Sequence, residues 1–286
     1  MLAAPEPSPS QGKSMKHWTL DDIAWDRFDP ARVDPDLVKA AKAAALVEYN
    51  GRDYTAYLCS VFHDDPEFQE VARAWGLEEE QHGLALGRWA RLADPEWDFD
   101  AAVKRFTDGY KLPIGATESV RGTRSGELVA RCIVETGTSS FYSALGEACE
   151  EPVLKDVCRR IAADEFRHYR MFYTHMKRYL ERERVSTFRR FAVAFMRVRE
   201  TEGDDELAYA YWSANDGVGP YDRRRCIDAY TARAYRSYRP PHVERATAMI
   251  FKAVGLKPNG WLNRAATRGV WMMLQNRVRK LEKAAA

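Results

Sequence analysis

Two short patterns in this sequence pair an acid with an imidazole at helical spacing: Glu79 with His82, and Glu165 with His168. Residues three apart share one face of a helix. Around the first pair that face also carries Ala72, Trp75, Gly76, Leu86 and Ala90; around the second it carries Cys158, Ile161, Ala162, Tyr169, Phe172 and Met176. Charged groups therefore interrupt two apolar stripes. Burying an unpaired carboxylate costs several kcal/mol, so such a position calls for a compensating partner, and a metal ion is one. Two further carboxylates stand at matching distances upstream: Glu48 lies 31 residues before Glu79, and Glu135 lies 30 before Glu165. At about 1.5 Å of rise per residue, that length lets the chain climb one helix, turn, and return to the same height on the next. Taken singly, Glu48 reads as a surface residue beside Arg52, and Glu135 as the ion-pair partner of Arg131. The matched spacing favours a joint site. Four carboxylates and two neutral imidazoles make a hard, oxygen-rich set, better suited to iron or manganese than to zinc.

The elements that must position these residues read as helices. Asp34-Pro35 opens one predicted over 34–62, and Asp65-Pro66 opens another to about Leu92. A shorter helix is expected at 99–109, followed by the loop KLPIGATESVRGTRSG. Long helices are then expected over 126–148 and from Glu151-Pro152 past Tyr179. Further helices are expected from Ser186 to Arg199 and at 222–237, 242–254 and 261–283. The stretch TEGDDELAYAYWSANDGVGP fits no element clearly. No strand-type alternation occurs, so the expected fold is all-α. Two Glu-x-x-His helices plus one Glu from each of two others is the ligand set of ferritin-like di-iron and di-manganese four-helix bundles. The expected organisation is a mobile tail over 1–16, a ferritin-like di-iron helical domain over 17–200, and a helical extension over 201–286 packing on the bundle.

Composition narrows the function. The chain has 286 residues, 45% of them hydrophobic, and 44 basic against 42 acidic residues give a formal net charge of +2. That balance argues against a dedicated nucleic-acid binder. No apolar run approaches the roughly 18–20 residues of a membrane span, and the first residues lack a basic-then-apolar leader pattern, so a soluble cytoplasmic protein is expected. Cysteines 59, 132, 149, 158 and 226 form no C-x-x-C pair and read as buried small hydrophobes.

The segments RAWGLEEEQHG (73–83) and IAADEFRHYRMFYT (161–174) extend beyond the bare metal pattern. Through them the chain resembles, over about residues 40–185, the soluble acyl-acyl-carrier-protein desaturases, the ferritin-like fatty acid desaturases. The resemblance implies two irons per chain, with a mixed manganese–iron pair also compatible. Glu79 and Glu165 would bridge them, Glu48 and Glu135 would be terminal carboxylates, and His82 and His168 would bind one metal each. It implies a catalytic role for Thr138 beside the oxygen-binding face, where a hydroxyl can hydrogen-bond or relay a proton, although a bond to a carbonyl one turn back is the ordinary role of a helix threonine. Asp164 and Trp75 would support the ligands from behind. Gln81 stands where the family carries arginine, and the family's Met-Pro-Ala-His segment is absent beyond residue 190.

The same resemblance implies dioxygen, a fatty acyl chain on acyl carrier protein, a ferredoxin-type electron donor and a homodimer. Arg159, Arg160, Lys177, Arg178 and Arg189 could steer an acidic carrier protein, or be plain solvated charges. The ligand set equally suits a hydroxylase, N-oxygenase or oxidase acting on a non-acyl small molecule, or a non-enzymatic iron-handling protein. In the segment 261–286, Arg264, Arg268, Arg277, Arg279, Lys280 and Lys283 oppose an apolar side of Trp271, Met272, Leu274, Val278 and Leu281. That helix is expected to pack on the bundle, with membrane or partner docking as the alternative. His17, His63, His175 and His242 have no matching partners and are expected to be non-ligands.

Overall fold

The computed structural model describes residues 17–201 and 205–285; the tail expected over 1–16 lies outside the described residues. The described residues form eleven α-helices and three short 3-10 turns, and contain no strand. The helices are α1 (Pro35–Tyr49), α2 (Gly51–Val61), α3 (Pro66–Ala93), α4 (Phe99–Gly109), α5 (Arg124–Ala148), α6 (Pro152–Glu183), α7 (Thr187–Thr201), α8 (Asp205–Asn215), α9 (Arg223–Arg236), α10 (Pro240–Val254) and α11 (Trp261–Ala285). The protein is all-α, as its sequence pattern indicates.

The starts of the long helices follow from local chemistry. Side chains of Asp34, Asp65 and Thr123 accept bonds from the first free N–H groups of α1, α3 and α5. Pro occupies the first position of α1, α3 and α6, where its missing N–H costs nothing. Glu151 does more than cap α6. It accepts from the N–H groups of Val153 and Leu154, and its Oε2 also accepts from Trp89 Nε1 of α3 at 2.7 Å, so one fully buried carboxylate fastens two helices together.

The single helix expected over 34–62 is instead two, broken at Asn50. The Asn50 backbone (φ −77°, ψ 6°) departs from helical values, and its N–H is shared between the carbonyls of Leu46 and Val47 at 3.2 Å each. The break falls where α3 comes closest: a side chain on Gly83 would overlap the backbone of Tyr49, and one on Gly51 would overlap the Cβ of Glu79. Glycines at the contact thus let the helix that carries Glu48 approach the helix that carries Glu79.

Residues 201–220 also contain an element that the sequence left open. Helix α8 packs on α1 and α4, with Ala208, Ala210, Tyr211 and Ala214 in the same apolar cluster as Leu46 and Trp89. Its buried side is half alanine and also includes Glu206 and Ser213, which leaves too weak a stripe to read. Helix α11 packs on α9 and α10 through Leu274 and Leu281, while Met272, placed by its sequence on the same side, is 59% exposed. Among the described residues, no helix is long and apolar enough to cross a membrane.

Two apolar clusters fill the bundle formed by α1 and α2 with α3 and by α5 with α6. One includes Leu46, Leu86, Trp89, Leu145 and Ile161; the other includes Leu58, Phe68, Ala72, Leu128 and Phe172. On all four strings of helix the residue numbers pass from one cluster to the other, and the predicted ligands fall at the crossing. Gly→Ala inside a helix ordinarily stabilises, by about 0.5–1 kcal/mol. For Gly83→Ala the expected sign is reversed, a loss of about 1–3 kcal/mol from overpacking against Tyr49. A chemical-denaturation midpoint at or above that of the parent would contradict the close approach.

Candidate metal centre

Helix α1 carries Glu48, α3 carries Glu79 and His82, α5 carries Glu135, and α6 carries Glu165 and His168; all six are buried. Their side chains converge as two groups. Glu48, Glu79, His82 and Glu165 each offer one atom within 4.8 Å of the others, and so do Glu79, Glu135, Glu165 and His168. Glu79 and Glu165 belong to both groups.

One atom of each of the six residues lacks a hydrogen-bond partner: Glu48 Oε2, Glu79 Oε1, His82 Nδ1, Glu135 Oε2, Glu165 Oε1 and His168 Nδ1. These atoms are close without being bonded to one another. His168 Nδ1 lies 2.9 Å from Glu79 Oε1 and 3.6 Å from Glu135 Oε2, and His82 Nδ1 lies 3.2 Å from Glu165 Oε1, but none of these contacts has hydrogen-bond alignment. Atoms that converge on shared points rather than on each other are arranged as ligands. Native proteins rarely leave so many buried polar atoms unsatisfied in one place. The donor set therefore fits hard divalent cations.

The outward-facing atoms are held by other side chains. His82 Nε2 meets Asp164 Oδ2 at 3.0 Å, and His168 Nε2 meets Glu78 Oε2 at 2.9 Å. Each imidazole is thus oriented by the acid that immediately precedes the shared Glu of the opposite hairpin. Arg167 ties the two acids together, bonding Glu78 at 3.1 Å and also Asp164. Tyr142 donates to Glu48 Oε1 at 2.6 Å. Thr138 Oγ1 lies 2.5 Å from Glu165 Oε2 and 3.3 Å from the carbonyls of Val134 and Glu135, so its closest acceptor is the ligand carboxylate.

Trp75 stands edge-on to His168 at 6.4 Å and to Phe172 at 5.4 Å. A second tryptophan was not foreseen. Trp18 stacks parallel to His82 with ring centres 6.0 Å apart, and its Nε1 donates to Asp164 at 2.7 Å. Gln81, the residue that departs from the family pattern, donates to the Trp18 carbonyl at 2.9 Å and so anchors this segment. No periodicity could have revealed Trp18, because it lies in irregular chain, 64 residues before His82 in the sequence. Glu78 and Tyr142 were also missed, although Tyr142 lies one helical turn beyond Thr138 and seven residues beyond Glu135. Among the histidines expected to be non-ligands, His17 contacts Glu78 at 3.1 Å and His242 contacts Glu147 at 3.1 Å, and neither joins the two groups.

Burial and the charge of Glu165 push the Glu135 carboxyl up to about 8, and burial with the charges of Glu165 and Glu48 pushes Glu79 upward too. Burial would likewise raise Glu165, but the two imidazoles hold it well below the ordinary range. For His82 and His168, burial favours the neutral ring, and the facing carboxylates outweigh it and raise both. With protein groups alone, burial and the facing charges thus favour the protonated forms of Glu79, Glu135 and both imidazoles.

A helical bundle with two buried carboxylate–imidazole groups of this kind could hold metal ions. Comparison with known families is more specific. The model of the fatty acid desaturase family matches residues 54–200, just over half of the chain, and the protein belongs to that family. It is therefore an oxidoreductase of desaturase type. The matched segment contains Glu79, His82, Glu135, Glu165 and His168, whereas Glu48 lies outside it and joins the group by geometry. No curated protein matches the chain.

Metal binding must displace the protons on these groups, so affinity should rise with pH, most steeply up to the Glu135 titration near 8. Titrating apo protein with ferrous or manganous ion in buffers of different ionisation enthalpy should reveal proton release on binding at neutral pH. Uptake without proton release, or affinity independent of pH between about 6 and 8, would contradict the protonated forms assigned to these groups.

Proposed function

We propose that the protein is a dioxygen-dependent di-iron acyl-acyl-carrier-protein desaturase. The observation that carries this reading is the set of six buried, unpartnered ligand atoms, one from each of Glu48, Glu79, His82, Glu135, Glu165 and His168. Membership of the two shared carboxylates in both groups supports Glu79 and Glu165 as bridges. Glu48 with His82, and Glu135 with His168, would complete the two positions.

The bound irons would supply dioxygen activation and hydrogen abstraction from an unactivated methylene. The chain's own residues set the conditions. Asp164 and Glu78 fix which nitrogen of each imidazole faces inward, because each accepts at Nε2. Both acids stay ionised: burial opposes this, but the imidazoles and Arg167 hold them below the ordinary carboxylate range. The Thr138 hydroxyl is placed to move a proton at Glu165 Oε2. The apolar clusters on either side exclude water, which favours hydrogen abstraction over side reactions.

Overall, a –CH2–CH2– unit, dioxygen, two electrons and two protons give an alkene and two waters. The two electrons come from an external one-electron carrier of ferredoxin type, since the sequence holds no flavin, nicotinamide or iron–sulfur motif. An acidic carrier protein suits the outer side of α6, where Lys155 and Arg159 line a surface recess with Arg27, while Arg160 in the same recess is engaged with Asp156. Arg178 is less available, being engaged with Asp65 and Glu67.

Iron-loaded protein, dioxygen and a reducing ferredoxin system should convert an acyl-carrier-protein substrate to a product lighter by two hydrogens. Gain of one oxygen would instead identify a hydroxylase. Separately, Glu135→Ala and His168→Ala should each lose at least half of the bound iron; full occupancy in both would falsify the ligand assignment.

A further inference from the structure

The near-neutral chain is electrically lopsided. Residues 184–286 contain 20 Lys and Arg against 10 Asp and Glu, a formal +10, while residues 1–183 contain 24 against 32, a formal −8. The basic part also holds the most exposed aromatic residues of the long helices. On α7, Phe188 is 81% exposed, Phe191 46%, Phe195 58% and Met196 56%; at the start of α11, Trp261 is 71% and Leu262 50% exposed. These α7 residues lie opposite the side through which Val193 and Ala194 are buried.

The two helices are structurally linked. Helix α10 packs on both, and the Arg190 guanidinium of α7 lies against Gly255, at the turn that leads from α10 towards α11. The beginning of α7 and the approach to α11 therefore lie at one end of the molecule. Exposed Arg184, Arg189, Lys257, Arg264 and Arg268 belong to the same segments, and among the described residues none of them forms an ion pair with a carboxylate.

We propose that the outer face of α7 and the start of α11 form a docking surface for an anionic lipid bilayer. Aromatic and aliphatic side chains on the outside of a helix, flanked by cations, can enter the boundary between headgroups and acyl chains while the cations remain among lipid phosphates. A bilayer fits better than a folded partner because the apolar groups project from outward helix faces instead of lining a groove. Two surface recesses lie elsewhere, one lined by Ile23, Arg27 and Arg160 and the other by Ser143, Phe166 and Arg245. Binding of this kind needs no spanning helix. It is independent of the reaction assigned to the buried site and would place that site beside a lipid phase.

The test is co-sedimentation of the full chain with vesicles of phosphatidylcholine alone and of phosphatidylcholine containing about one third phosphatidylglycerol. Binding is expected only with the anionic lipid. It should weaken by about tenfold or more in Phe188→Ser/Phe191→Ser, in Arg189→Glu/Arg268→Glu, and at high salt, with iron content and melting temperature unchanged. A parent chain that stays in the supernatant with anionic vesicles at low salt overturns the proposal. So does equal binding by the Phe188→Ser/Phe191→Ser variant. If those substitutions instead dissociate a dimer, or abolish capture of an acidic carrier protein, while the parent binds no lipid, the face is a protein interface and the proposal fails.

Discussion

Burying four carboxylates and two imidazoles between two apolar layers is the constraint around which this fold is arranged. Such a cluster is tolerable only if its charge is compensated in place. Compensation operates at two depths. Inside, six atoms converge without bonding to one another. Outside, Asp164, Glu78, Tyr142 and Thr138 each hold the other end of a ligand side chain, and Arg167 joins the two acids. The rigidity of the outer set keeps the inner atoms pointed at common positions, which a loose cluster of acids would not do.

The helices serve that arrangement through close contact rather than bulk. Glycines 51 and 83 bring the first hairpin together tightly enough for Glu48 and Glu79 to reach one centre, and Glu151 locks α6 to α3 at the far end through Trp89. The break at Asn50 belongs to the same geometry, since it lies two residues beyond Glu48 and beside the closest helix contact.

Much of this was legible in the sequence because the six converging residues repeat a spacing fixed by helix rise and by the 3.6-residue turn. The all-α fold and the convergence of those six positions follow from regular periodicity. What escaped had no period to betray it. Trp18 sits in irregular chain and reaches His82 only through tertiary folding. Helix α8 buries alanines and polar Glu206 and Ser213 beside a single tyrosine, which weigh little in a hydrophobic pattern. The break at Asn50 falls on an Asn-Gly pair, a turn signal outweighed by the strong helical pattern on either side. Met272 went to the wrong side because adjacent apolar residues on α11 span more than one face.

The two hairpins are near-copies in plan, each offering a lone Glu followed by Glu-x-x-His, and each lacking one component of its own group. The group built on α1 and α3 needs Glu165 from α6, and the group built on α5 and α6 needs Glu79 from α3. Neither half of the bundle can therefore assemble a complete site alone. Cations held there would act as cross-links between halves, so their binding energy would also be docking energy.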